Sequence, residues 1–349
     1  MRSLSFIEHD READVLVVTN MWPDRDRPVC GIFVKRQVES LRAAGTRCDV
    51  LYLRGYGSKI AYLSAALRFL AANISWRKKY RLVHVHSGGT SLSARFFLAS
   101  PMLVTFHGDD VLGDRRGDGT ISLYSRLRSS VIRANSVLFT ATITQSKEMH
   151  ERLPRAARRN DTVIAYGVST GLFRPMERAE ARKQLGWSQS ERVVLFAATF
   201  PDAARKRLWL AEAAVAYASS RIGPIRLYIS GTTPPDEMPL LMNAADCLVH
   251  TSSVEGAPVV VREALMCNLP IVATPSGDIA EQLAGVDCSY LCVPDREALG
   301  LALIDCLSRE SRSNGRECRA EKVSASVEAA RILGPYAKLT APRRLRAKG

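Results

Sequence analysis

Short β-branched runs alternate with longer helix-like segments along this chain, and the alternation breaks once and starts again. The first series is VLVVTN (15–20), CDVLYL (48–53), LVHVH (82–86), MLVTFHG (102–108), SVLFTA (136–141) and TVIAYG (162–167). Between the first two lies GIFVKRQVESLRAAG (31–45), apolar at helical spacing and stopped at Gly45. Strands that alternate with helices pair in parallel, because each parallel connection needs a crossover. The second series is VVLFAATF (193–200), IRLYISG (225–231), CLVHTS (247–252) and PIVATP (270–275), with a helix at 258–267. Two α/β modules in tandem place a cleft between them. STGLFRPMERAEARKQLG (169–186) is the linker candidate, and APRRLRAKG at the end reads as a loose basic tail.

A length of 349 residues suits two domains, and 46% hydrophobic with 24% charged residues suits a soluble chain with real cores. The net charge of +14 favours anionic partners such as nucleic acid, a membrane surface or a phosphorylated ligand. Nucleic acid is disfavoured, since neither a recognised module nor interleaved aromatic and basic residues appear. No run of 18 apolar residues predicts a membrane span, and MRSLSFIEHDREADVLVV is too polar for a secretory leader. Eight scattered cysteines give no zinc spacing and read as reduced, largely packed thiols in a cytoplasmic protein.

The stretch EGAPVVVREALMCNLPIVAT (255–274) puts Glu255 and Glu263 eight positions apart. Glu255 follows the strand CLVHTS, and the carboxyl ends of such strands line the ligand crevice. Gly256 permits close backbone approach, and Pro258 suits the first turn of a helix. That helix aims free N–H groups at the cleft, where a phosphate can bind. Glu263, about one and a half turns further on, could accept ribose hydroxyls. On spacing alone an alternative stands equally: Glu255 caps the helix and Glu263 lies on a solvated face.

EGAPVVVREALMCNLPIVATPSGD resembles the E-x7-E segment of the retaining glycosyltransferases of family 4, which have the GT-B fold of two facing Rossmann-like domains. WPDRDRPVCGIFVKRQVESLRAAG is similar to that family's first loop and helix, and LVHVHSG with MLVTFHGDD to its His-bearing strand ends. DTVIAYGVSTGLFRP and LLMNAADCLVHTS resemble its interdomain segment and the run before the two acids, so the likeness covers roughly residues 14 to 340. It implies an acceptor-binding domain over 1–168 and a nucleotide-sugar-binding domain over 169–325. A C-terminal helix in 326–349 could cross back to the first, followed by the basic tail.

The resemblance also implies roles. Glu255 would sit near the donor sugar and Glu263 would bind the ribose. Gly256, Ala257, Pro258 and Val259 would present backbone to the sugar and diphosphate. His107 would bond a sugar hydroxyl, Gly31 would let the diphosphate approach, and Lys206 would neutralise it. Where the family usually has Gly-Arg after its VVLFAA-like strand, this chain has Ala198 and Thr199; Arg205 or Arg207 could supply the missing charge. No Asp-x-Asp pair sits in a convincing place, so neither metal nor cofactor is expected. The reaction implied is retaining transfer from a nucleotide-sugar, expected to be UDP-linked, to a glycan or lipid-linked saccharide in bacterial surface-polysaccharide assembly. A sugar-phosphate synthase or phosphorylase on the same fold, and a non-catalytic nucleotide-sugar-binding scaffold, are the alternatives.

KIAYLSAALRFLAANISWRKKYR (59–81) carries Ile60, Leu63, Leu67, Leu70 and Ile74 on one helical face, with basic residues along and after it. The stripe is read as packing on the N-terminal sheet. A basic amphipathic helix can also lie on an anionic membrane, so its cations are candidates for headgroup contact and peripheral attachment at the inner membrane face.

Overall fold

The computed structural model describes residues 4–341 except 11, 55–57, 76–79, 99, 117–119 and 310. Seven strands form the first sheet: β1 (Leu4–Glu8), β2 (Val15–Thr19), β3 (Cys48–Leu53), β4 (Leu82–His86), β5 (Met102–Thr105), β6 (Ala141–Thr144) and β7 (Asp161–Val163). Their order is β1-β3-β2-β4-β5-β6-β7, all parallel except β1, which runs antiparallel on the edge beside β3. Five parallel strands form the second: β8 (Val193–Phe196), β9 (Arg226–Ile229), β10 (Cys247–His250), β11 (Ile271–Ala273) and β12 (Ser289–Leu291), in the order β12-β11-β10-β8-β9. This is the GT-B architecture that the resemblance implied.

The near-continuous apolar runs have a simple cause. Helices cover both faces of the first sheet, so alternate residues of one strand enter different cores. Leu16 and Val18 pack with Phe69, Phe97 and Val104 on one side. Val15 and Val17 pack with Val38, Leu41 and Ile332 on the other. The first helices of this lobe are α1 (Ile32–Ala43), α2 (Lys59–Ser75), α3 (Gly88–Ala94), α4 (Asp109–Leu112) and α5 (Leu123–Ser136).

The chain passes between the lobes at one place. Val168 N–H donates to the Val323 carbonyl at 2.8 Å, and Ala325 N–H donates to the Val168 carbonyl at 2.9 Å. Helix Ala325–Thr340 then lies against the first lobe, with Ala329, Ile332 and Tyr336 in its core. Its Glu328 carboxylate accepts from the Gln37 side chain at 2.5 Å and from Gly167 N–H at 2.8 Å.

Several elements differ from the sequence reading. SVLFTA is not a strand: α5 runs to Ser136, Phe139 turns into the core, and β6 begins only at Ala141. TVIAYG contributes only its first two residues to the short β7. The linker candidate 169–186 holds a helix, Arg178–Leu185, whose buried Arg182 pairs with Asp246 at 2.8 Å. The stripe on α2 faces outward: Ile60, Leu63, Leu67 and Leu70 are exposed, while Ala65, Phe69 and Ala72 are buried beneath them. Ile74's side chain lies outside the described residues.

Candidate active site

Glu255, in the turn after β10, takes Lys206 Nζ at 2.5 Å on its Oε1. Lys206 ends a short 3-10 turn, Ala204–Lys206, and the Thr251 hydroxyl donates to that lysine's carbonyl at 2.8 Å. The turn is thereby fixed to the loop that carries the acid. Burial alone would raise the Glu255 carboxyl. The Lys206 ammonium, helped by His250 and Arg205, outweighs burial and holds it at about 2. His250 Nε2 lies 4.0 Å from Glu255 Oε1, and burial pushes this imidazole down to about 4, so it is neutral at pH 7. Sequence reading missed His250, which looked like one more residue of a buried strand.

Helix Val259–Met266 starts at Pro258 without a side-chain cap, so its first N–H groups point unshielded into the cleft. Glu263 on this helix is largely buried, and Arg36 Nη1 of α1 reaches its Oε1 from the opposite lobe at 2.8 Å. Burial raises the Glu263 carboxyl and Arg36 partly offsets that. Arg36 was also missed, since an arginine on an amphipathic helix reads as a solvated charge. The two residues wall a cavity of about 120 Å³ with Ala198, Thr199, Ser230 and Met238. Ala198 and Thr199, the positions that depart from the family pattern, therefore line the same cavity as Glu263.

The three neighbouring cations have separate tasks. Arg207 donates to the carbonyls of Thr251 and Ser252 and to the Thr274 hydroxyl, at 2.6, 3.1 and 3.0 Å. Its guanidinium braces the loop. Arg205 keeps only a loose 3.7 Å approach to Asp114, and its Nη1 has no partner among the described residues. Of the two candidates for the missing charge, Arg205 is the one with donor capacity left.

His107 follows β5, facing these groups from the first lobe. Its ring stacks between His86, at 5.4 Å, and Tyr166, at 5.8 Å. The Tyr166 hydroxyl bonds Nδ1, and Nε2 has no partner among the described residues. Burial, then the neighbouring His86, pushes this imidazole well below its ordinary value. It is a neutral hydrogen-bonding group at pH 7. The Asp110 carboxylate holds the loop behind it by accepting N–H bonds from His107, Gly108 and Gly88.

Two glycines set the closeness of approach. Gly108 has φ +121°, and a Cβ there would lie 2.9 Å from Gly256 N, so the two lobes meet backbone to backbone beside the acid. Gly31, the residue before α1, has φ +71°, and a Cβ there would lie 2.3 Å from the Met21 carbonyl carbon. We expect Gly31→Ala to displace the loop 21–31, lower the thermal midpoint and weaken nucleotide binding at least tenfold, measured by calorimetric titration. The left-handed backbone alone costs about 1–2 kcal/mol with a Cβ, before the clash. Retained affinity would separate this loop from the ligand. Among the described residues no cluster of three His, Cys, Asp or Glu side chains could hold a metal ion.

Two facing α/β lobes, a basic and acidic pair at an open helix start, and a neutral histidine opposite define the class: a GT-B protein with a nucleotide-sugar type of cleft. Residues 9–167 match the description "Glycosyl transferase 4-like domain" and residues 212–322 match "Glycosyl transferases group 1". The chain belongs to family 4 of the glycosyltransferases, a retaining family that uses nucleotide-sugar donors. It is 26% identical to D-inositol 3-phosphate glycosyltransferase of Segniliparus rotundus, over 81% of this chain and 73% of that one. It is 20% identical to TuaC of Bacillus subtilis, named for teichuronic acid biosynthesis, over 76% of this chain and 82% of that one. In fold it is similar to sucrose-phosphate synthase from Thermosynechococcus elongatus, with TM-score 0.74, 18% identity, and coverage of 93% and 99% of the two chains. It is also similar to Anabaena HepE solved with UDP and glucose, with TM-score 0.69, 16% identity, and coverage of 93% and 100%.

Proposed function

We propose that this protein transfers a hexose with retention from a UDP-sugar to a hydroxyl of a glycan or lipid-linked saccharide. The setting is surface-polysaccharide assembly on the cytoplasmic side of a bacterial membrane. The observation that carries the reading is the largely buried Lys206–Glu255 pair beside the uncapped helix start at Pro258. Negative charge develops on the leaving diphosphate, and a preorganised cation with helix N–H groups stabilises it selectively. No divalent metal is then required. The sugar gains oxocarbenium character, which the adjacent Glu255 carboxylate stabilises. Neutral His107 supports the same reading, because its free Nε2 is suited to a sugar hydroxyl. Arg205 supplies the second cation at the diphosphate, and Glu263 binds the ribose once Arg36 yields it. TuaC, named for a surface polymer, and HepE, solved with UDP and glucose, are consistent with donor and setting.

The test is ligand-induced thermal stabilisation with UDP-, GDP-, ADP- and dTDP-sugars, with and without EDTA. A ligand held only by the folded state raises its stability by about 2.7 kcal/mol at 100 times Kd. We expect a shift with UDP-sugars that survives EDTA and is lost in Glu263→Ala. No shift with any nucleotide at millimolar concentration would sink the donor site. The Ala198–Thr199 departure favours one rival, a non-catalytic scaffold, and donor turnover under the same conditions separates the two.

A further inference from the structure

The outward turn of α2 leaves apolar surface that the reaction does not use. Ile60, Leu63, Leu67 and Leu70 recur at spacings of three and four and are 80, 65, 63 and 53% exposed. The buried side of the same helix is built from Ala65, Phe69 and Ala72. Helix α5 repeats the inversion. Leu123, Tyr124, Leu127 and Val131 are exposed, while Ser125, Ser129 and Ile132 are buried. Both helices pack on α3 from either side. Leu98, just past the end of α3, is 79% exposed. Burying serine and alanine while exposing leucine is the reverse of what water selects in a surface helix.

The charge around this surface is predominantly positive. Between Asp49 and Asp109 the sequence holds eight basic residues and no acidic one. Between Asp118 and Glu148 it again holds none, with Arg126, Arg128, Arg133 and Lys147. Arg68, Arg95 and Arg126 are exposed on these elements. The acids nearest the face are Asp109, paired with Arg128, and Asp114, turned to Arg205 at the cleft. Apolar rows edged mainly by cations suit an anionic lipid bilayer, where leucines enter the acyl boundary and arginines meet headgroups. A second copy of the same face would bring like charges together.

The surface also continues to the cleft. The Tyr62 hydroxyl near the start of α2 accepts from Asn20 Nδ2 at 2.7 Å, in the loop that leads to Gly31. At the start of α5, the Ser125 hydroxyl accepts from Asp114 N–H at 2.7 Å, and Asp114 is the residue that approaches Arg205 across the cleft.

We infer that α2 and α5 together form a docking face for an anionic bilayer, set so that the cleft mouth opens at the lipid surface. This deepens the reading of a lipid-linked acceptor: the acceptor's saccharide enters the cleft while its lipid stays in the membrane.

The test is flotation of the full chain with phosphatidylcholine vesicles, with and without phosphatidylglycerol. The variants are Leu63→Glu with Leu67→Glu, Leu123→Glu with Leu127→Glu, and Arg68→Glu with Arg126→Glu. We expect binding to anionic vesicles only, weakened by high salt, and reduced at least tenfold in each pair. Thermal midpoints and UDP-sugar shifts in vesicle-free solution should match the wild type, since all six residues are exposed and outside the cleft. Equal binding to neutral vesicles overturns the inference, as does binding unaffected by all three pairs. So does a wild-type dimer, silent toward vesicles, that the leucine variants convert to a monomer. Lost vesicle binding with normal donor shifts locates the effect in the docking face. A wild type that binds vesicles but no nucleotide-sugar would refute the donor reading and leave the docking face standing.

Discussion

Lys206→Ala lowers the rate of sugar transfer by roughly 100- to 1000-fold, as expected for one lost stabilising donor at a developing anion. The same substitution strips Glu255 of its partner. In the intact protein that carboxyl is held at about 2 from an ordinary 4.5. A depressed acid contributes stability above its unfolded pKa and loses it as pH falls from 4.5 towards 2. The shift corresponds to about 3 kcal/mol at neutral pH. Without Lys206 burial prevails, and breaking a buried pair costs about 3–5 kcal/mol. The two effects come apart in the double variant Lys206→Ala with Glu255→Gln. Its thermal midpoint should recover most of the loss while transfer stays low. Transfer within threefold of wild type in the single variant would remove Lys206 from the chemistry.

Acidification from pH 7 to 5 destabilises the chain by several kcal/mol. Burial lowers four histidines: His84 and His107 well below 6.5, His86 to about 3 and His250 to about 4. Each is neutral when folded and titrates normally when unfolded, so the unfolded state binds more protons across this window and stability falls with pH. At pH 5 each such group contributes about 2 kcal/mol to the loss. His84 and His86 sit 4.3 Å apart between ring centroids, so protonating both also brings like charges together. Four carboxyls act in the opposite sense. Burial lifts Glu328 to about 7 and Asp110 to about 6, and it also raises Glu263 and Asp278, so these favour the folded state as they take up protons. The histidine contributions are the larger and leave a net loss, visible as a fall in urea midpoint from pH 7 to 6 to 5. An unchanged or rising midpoint would show that these histidines remain accessible to protons in the folded state.

Much of the architecture could be read from the chain because parallel strands buried on both faces are continuous apolar runs. The errors fell where that rule misleads. Thr142 and Thr144 make β6 look polar, yet both hydroxyls donate to Asp161 at 2.7 Å and the strand is buried. The more apolar SVLFT just before it closes a helix instead. β1 joins as an antiparallel edge strand whose pairing with β3 has no local signature. At the site, Glu255, Lys206 and His107 could be picked out as candidates because each sits in a short motif whose turn or helix end explains it. Arg36 was not, because its partner Glu263 is 227 positions away. The stripe on α2 was read correctly as a stripe and assigned to the wrong side, since periodicity fixes a face and not what it meets.

The paired crossing at Val168 and Ser324 has a mechanical consequence. Both connections between the lobes run beside α1: the Tyr166 ring lies 4.8 Å from Phe33, and the Glu328 carboxylate accepts from Gln37 and from Gly167 N–H. The lobes are joined like covers at a spine, and the spine lies against the helix that carries Arg36. Helix Ala325–Thr340 packs on the first lobe, so a rotation of the second lobe would turn about Val168 and Ser324 and leave that helix behind. Arg36 is the neighbour of Gln37, so its contact with Glu263 is made close to the axis of such a rotation.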